Sequence, residues 1–282
     1  MKKVVFILFT CMLTNLSFAA TTCTTAACKK LNKKYYRHRS EPAQKEKIVL
    51  SPVTVAASNT NQNKTAIFSM SNISGEFDLT SNYMDRGISQ TQNLPAIQGG
   101  LTYSFPIGLY FNAWGSNVKF IDPKRSEATV EVDTIGGWRG SFWNNNISYD
   151  INFDRYNYPQ ARSANYNELN TLWTYKILQV GISYSANAYN FHKSGTYYNG
   201  TLTFGIPPRY VFNLTDVNFQ IETGHYSLCR AAGNSYNDYS LTLNKKINST
   251  FIITAQWTNT NGRQHFAPYD SSQLLGMITA VF

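Results

Sequence analysis

Two sets of residues in this chain could do chemistry. The first is Gly224-His225-Tyr226-Ser227, with Glu222 as the only nearby acid. A serine becomes a nucleophile when a histidine base lies within hydrogen-bond reach, so the spacing allows ester hydrolysis. In an extended segment alternate side chains share a face, and His225 then sides with Val217, Phe219 and Ile221. That parity favours a surface histidine, and no catalytic residue is assigned. The second set is larger. Glu76, Asp78, Glu131, Asp133, Asp150, Asp154, Glu168 and Glu222 all fall at polar positions of alternating segments, with Arg86, Arg139 and Lys176 on the same parity. Eight acids against three bases around one enclosed space would select ions by sign and prefer cations. The same groups could instead neutralise one another inside a filled, non-conducting interior.

Strands would have to position these charges. From Ile73 onward polar and apolar residues alternate, as they do when one strand face meets lipid and the other a polar interior. Ile73, Gly75, Phe77 and Leu79 alternate with Ser74, Glu76, Asp78 and Thr80; Ala128, Val130 and Val132 alternate with Glu127, Thr129, Glu131 and Asp133. Similar ladders run through Ile147 to Asp154, Val180 to Tyr184, Val217 to Glu222, Tyr239 to Leu243 and Phe251 to Ala255. With the weaker segments they predict about twelve strands, an even number that returns the chain to its starting side. Phe105 to Gly108, Lys176-Ile177 and Asn244 to Asn248 are short connections, whereas Met84 to Leu94, Val118 to Ser126, Arg155 to Asn165 and Asn259 to Asp270 are longer. Short periplasmic turns and longer outer loops fit a barrel with both termini in the periplasm. Ile206 to Thr215, with Pro207-Pro208, is longer than this scheme expects, and Asn144 to Asn146 reads as a turn.

Aromatics gather at strand ends: Tyr83, Tyr103, Phe105, Trp138, Phe142, Trp143, Tyr156, Tyr158, Trp173, Tyr175 and Trp257. The last segment, Ser272 to Phe282, ends on an aromatic that would serve as a terminal assembly signal. A soluble sandwich or lipocalin-like barrel would alternate in the same way, but the aromatics and the terminal Phe282 favour the membrane. The fold class is therefore all-β, a transmembrane antiparallel up-and-down β-barrel.

The other end of the chain agrees with export. Lys2 and Lys3 precede an apolar run from Val4 to Leu16 and the small-residue site Ser17-Phe18-Ala19. The run is too short for a spanning helix, which needs about twenty residues, and reads as a secretory signal peptide over residues 1–19, cleaved near Ala19. The formal charge of +9 is local. From Ala66 onward fourteen bases meet fourteen acids, so the surplus lies in the first sixty-five residues. Residues 20–65 form a basic, largely disordered periplasmic extension, and residues 66–282 the barrel. The extension could dock on an acidic periplasmic surface or serve as a solvated linker. Nucleic acid is not expected as a partner, because no zinc-finger spacing or RNA-binding aromatic motif accompanies the lysines. Cys23 and Cys28 could close a small loop, but without a nearby histidine pair they lack a metal ligand set. Cys229 falls in an outer loop, out of their reach. No glycine-rich phosphate loop and no HExxH motif occurs, and no cofactor or metal is expected.

Particular strings carry a resemblance. Thr80-Ser81-Asn82-Tyr83, then Arg86-Gly87-Ile88-Ser89-Gln90-Thr91, then Pro95-Ala96-Ile97-Gln98-Gly99-Gly100, are similar to the opening signature of the TorF-type porin family. Trp114 to Val118, Tyr149-Asp150 with Tyr158-Pro159, Tyr184-Ser185, Tyr197-Tyr198 and Asp238-Tyr239 resemble later blocks in the same order. The terminal LLGMITAVF departs from the pattern in being apolar on both faces. The resemblance implies an outer-membrane barrel of porin type, with a substrate that the family itself does not settle. With the residue patterns it leads to the expectation of a channel for passive passage of small solutes, not an enzyme, whose partners are membrane lipids, the barrel-assembly machinery and the solutes themselves. A non-conducting barrel acting as an adhesin or structural protein is the alternative reading, followed by a lipid hydrolase.

Overall fold

The computed structural model describes residues 69–282 apart from 123, 230–233 and 263–268. The expected signal peptide, the basic extension, and Cys23 and Cys28 lie outside the described residues. Twelve strands close one antiparallel up-and-down barrel: β1 (Ile73–Thr80), β4 (Ala96–Ser104), β5 (Leu109–Ile121), β6 (Glu127–Phe142), β7 (Ile147–Asn157), β8 (Tyr166–Tyr175), β9 (Leu178–Ser185), β10 (Gly195–Ile206), β11 (Val217–Ser227), β12 (Tyr236–Lys246), β13 (Phe251–Thr260) and β14 (Gln273–Val281). Two short strands, β2 (Met84–Asp85) and β3 (Ile88–Ser89), form a separate hairpin between β1 and β4. Closure removes the free sheet edges that an open sheet would expose. It is made by β14 against β1, with Glu76 opposite Val281 and Thr80 opposite Met277.

The period-two pattern sorts the wall into two faces. Large apolar side chains point outward and are exposed, among them Phe77, Leu79, Ile97, Leu101, Ile253 and Ile278. Their neighbours Asp78, Thr80, Gln98, Thr254 and Thr279 are buried on the inside. Polar residues inside and apolar residues outside invert the usual soluble arrangement and suit a wall between lipid and a polar lumen. Among the described residues, no helix is long and apolar enough to cross a membrane.

One end of the barrel carries the start of β1, Phe282 and turns 105–108, 143–146, 176–177 and 247–250, together with the longer 207–216 connection. This is the turn end. The opposite, loop end carries the connections leaving β1, β5, β7, β9, β11 and β13. Cys229 lies in the loop-end connection after β11, where it is buried. On the outside near the turn end, Tyr103 packs against Phe105, Phe142 against Trp173, and Trp143 stacks on Tyr175 at 6.0 Å.

Three sequence expectations change. Tyr83, Tyr156 and Tyr158 are not girdle residues, since all three are buried inside the loop half. Ala128 was expected to face lipid but is fully buried. The β5–β6 register shifts between Asn117 and Phe120, so that Ala128 pairs with the inward Phe120 and Thr129 and Val130 are both exposed. A bulge inserts one residue and flips parity beyond it. Finally, Met84 to Leu94 was expected to be an outer loop, but the segment folds back into the lumen.

Candidate functional site

The lumen has two unlike halves. Toward the turn end lies a cavity of about 440 Å³. Its wall is dominated by amides and hydroxyls, including Asn170, Gln179, Asn199, Thr201, Gln220 and Thr254, with Glu76, Asp78, Asp150, Asp154, Glu222 and Lys176 among them. Cross-strand hydrogen bonds order this lining: Asn170 donates to Asn152 at 3.0 Å, Asn199 to Glu222 at 3.0 Å and Thr254 to Asn244 at 2.7 Å. The inward residues of the terminal strand, Leu275, Met277, Thr279 and Val281, also face it. At the turn-end rim the Tyr110 hydroxyl donates to Asp150 at 2.7 Å, and Arg139 lies over the Tyr110 ring at 4.8 Å.

Asn82 to Arg86 border the cavity at its other end. Here the segment from Ser81 to Pro95 crosses the lumen, with β2 and β3 joined through Arg86-Gly87. Both turn residues have positive φ, 43° and 78°, as a two-residue hairpin of this kind requires. Gly87 meets the demand by lacking a side chain, and any Cβ there would lie 3.0 Å from both Asp238 Cβ on β12 and Thr260 Cβ on β13. A polar knot secures the base of the hairpin. Asn82 Oδ1 accepts from Ser89 Oγ at 2.6 Å and from Thr91 Oγ1 at 3.1 Å, while Asn82 Nδ2 donates to Asn93 at 3.2 Å. The backbone N–H of Lys119 donates to the carbonyl of Gln90, and that of Ser89 to the carbonyl of Tyr269, tying the segment to the wall on two sides.

Arg86 at the hairpin tip reaches a tyrosine cage. Its guanidinium lies 4.2 Å from the centre of the Tyr197 ring and 4.5 Å from that of Tyr226, and Nη2 donates to Glu168 Oε1 at 2.6 Å. Such a cation, flanked by ring faces and paired with a carboxylate in a buried site, is held strongly. Burial alone would lower the Arg86 pKa, but the Glu168 carboxylate, aided by Tyr226, Asp85 and Tyr189, reverses this and holds it well above its ordinary value. Around the cage, Tyr156 stacks on Tyr166 at 4.3 Å, and Tyr226 meets Tyr189 and Tyr236 edge-on. Tyr197 donates to Asp238 at 3.0 Å and Tyr158 to Glu131 at 3.1 Å. Burial, reinforced by Glu131, Asp85 and Asp133, pushes the Tyr83 hydroxyl pKa well up, so it remains protonated.

The sequence-selected charges divide between these regions. Glu76, Asp78, Arg86, Asp150, Asp154, Lys176 and Glu222 line the cavity. Glu131, Asp133 and Glu168 are sealed in the packed loop half, and Arg139 is an exposed rim residue paired across strands with Asp150. Asp85 and Asp238 were missed, although Asp238 has the inward parity that Tyr239, Leu241 and Leu243 define. Tyr197 entered only through a family-like block and Tyr226 only through the Gly224–Ser227 string, and neither was selected as a lumen residue. Among the described residues ten carboxylates are buried against one base, Arg86. His225 lies on the outward side of β11, where Nδ1 is 2.7 Å from Asn237 Oδ1. Phe282 is exposed on the outside, exchanging backbone hydrogen bonds with Gly75.

A family model, described as "Bacterial protein of unknown function (Gcw_chp)", matches residues 64–282. No curated protein matches the sequence. Among solved structures, the KdgM porin is similar at 10% identity with a TM-score of 0.45, over 74% of this chain and 97% of that one. The NanC porin gives 10% identity and a TM-score of 0.45 over 74% and 98%. OprD of Pseudomonas aeruginosa gives 11% and 0.35 over 75% and 66%.

Proposed function

The chain belongs to the Gcw_chp family of bacterial proteins of unknown function, and we propose that it is an outer-membrane channel of porin type that passes small solutes and prefers cations. One observation carries the reading: a barrel wall apolar on the outside encloses a polar cavity in whose surroundings acids far outnumber bases. An interior field of one sign admits the opposite charge preferentially. The TorF-type resemblance of Thr80 to Gly100 points the same way.

In this reading residues 1–19 are removed on export, residues 20–65 are a periplasmic extension able to meet an acidic surface, and the turn end faces the periplasm. Glu76, Asp78, Asp150, Asp154, Glu222 and Lys176 line the path, and Phe282 acts as the assembly signal. The inserted segment makes the described arrangement a closed state, so passage requires the hairpin to leave the cage.

Planar-bilayer recording of the purified, folded protein in a salt gradient tests the proposal. Step conductances with a reversal potential of cation-selective sign are expected; an anion-selective sign would remove the charge preference, and silence in both the native protein and a variant lacking the hairpin would remove the channel. The packed loop half favours a second reading, a non-conducting barrel that acts through its outer surface. Ligand or surface binding that disappears on loop deletion, in a protein silent in bilayers, would select that reading.

A further inference from the structure

Arg86 is an unusual choice for its position. It occupies a left-handed turn site that glycine or asparagine adopts more easily. A strained residue held by its surroundings is a pointer to function, and here the surroundings act on the guanidinium. The carboxylate that pairs with it and the two rings that flank it, Glu168 of β8, Tyr197 of β10 and Tyr226 of β11, belong to the barrel wall, whereas Arg86 is carried on a connecting hairpin. The cage is therefore built into the barrel independently of its occupant.

Its composition defines what it recognises. Two ring faces and a carboxylate select a flat, delocalised cation that can both stack and donate in-plane hydrogen bonds, and a guanidinium does this better than an ammonium. Asp154 pairs directly across strands with Glu168, so two inward carboxylates lie side by side. Like charges in that position repel unless a cation lies nearby. The turn-end cavity leads to the same place, since Tyr197, Arg86 and Asp154 all border it.

We infer that the Glu168–Tyr197–Tyr226 cage is a binding site for small guanidinium-bearing solutes, and that Arg86 fills it in cis as a built-in mimic of the ligand. This deepens the channel reading by naming a solute class, and it makes a solute the agent that competes with the hairpin for the cage. Once the solute displaces Arg86, the hairpin loses its strongest attachment and the loop half can open.

Methylguanidine is the probe. In the full-length, detergent-folded protein, Arg86→Ala should bind it measurably by calorimetry, and adding Tyr197→Ala should weaken that binding by roughly twofold to thirtyfold. Lysine-like alkylamines should bind less well, and potassium should not compete at matched ionic strength. Absence of methylguanidine binding to Arg86→Ala, or binding indifferent to Tyr197→Ala and to Glu168→Gln, overturns the inference.

A second measurement needs no variant to fold. In the native protein, millimolar methylguanidine should raise hydrogen exchange at residues 84–89 severalfold, while equimolar tetramethylammonium should leave it unchanged. Equal responses to both, or to neither, count against the cage. Binding is read separately from conductance: a protein that binds methylguanidine but stays silent in bilayers keeps the site and loses the channel, and one that conducts without binding keeps the channel and loses the site.

Discussion

The two ends of the lumen are built from the same twelve strands by opposite rules. Toward the turn end most inward positions carry amides and hydroxyls, hydrogen bonds run between neighbouring strands, and a cavity remains. Toward the loop end the same positions hold tyrosines and carboxylates, and the hairpin supplies the missing cation. The difference shows that barrel size does not decide whether a lumen is filled. Side-chain volume and one inserted segment do so, half by half.

The most direct way to break the contrast is to remove the hairpin. Replacing residues 83–90 by a glycine-serine linker of equal length should raise bilayer conductance severalfold while far-UV circular dichroism keeps its strand signal. Unchanged conductance would mean that the loop half is closed by something other than this segment. Next in size is Glu168→Gln. It leaves the buried Arg86 guanidinium without its counter-charge, and breaking such a pair costs about 3–5 kcal/mol, measurable as a lower urea midpoint.

Gly224→Ala acts one step further out. A Cβ there would overlap the Tyr197 hydroxyl and approach Asp238 Oδ2 at 2.6 Å, pushing apart two groups that are now hydrogen-bonded. Overpacking of this kind costs about 1–3 kcal/mol, and it should raise exchange at residues 84–89 before it unfolds the wall. The smallest effect belongs to the open half: Thr254→Val removes its hydrogen bond to Asn244 and should cost about 1 kcal/mol without altering exchange in the hairpin. If the Thr254 change loosened the hairpin as much as Gly224→Ala, the halves would be one cooperative unit.

The wall was readable from the sequence because period two is a local property. Phe77 and Asp78 declare their faces without reference to any other strand, and short and long connections assigned the two ends. Parity carried this far only while the register held. It failed at Ala128, where the bulge that reverses it arises between β5 and β6 and leaves no mark in either segment alone. Residues 81–95 were recognisable as a distinctive string and Arg86 as a lumen residue. Their inward fold was not legible, since it depends on Gly87 meeting Asp238 and Thr260 and on Arg86 meeting Tyr197 and Tyr226. Those partners are distant in the chain, and tyrosines near strand ends read equally well as girdle or cage.

The junction of β1 and β14 gives the inserted segment a place in the order of assembly. Five ladder pairs join these strands, against seven to eleven at the other seams, and the Gly75–Phe282 hydrogen bonds extend it at the turn end, so this seam is the shortest of the zip. Immediately beyond it Ser81 donates its N–H to the Gly276 carbonyl and accepts from the Gly276 N–H through Oγ, and Ser89 reaches the Tyr269 carbonyl. The segment thus grips the last strand and the connection that precedes it. Its bonds to Gly276 and Tyr269 need β14 in place, and with them the segment works as a clasp across the seam. A filled loop half is then the chemical record of a sheet that has finished closing.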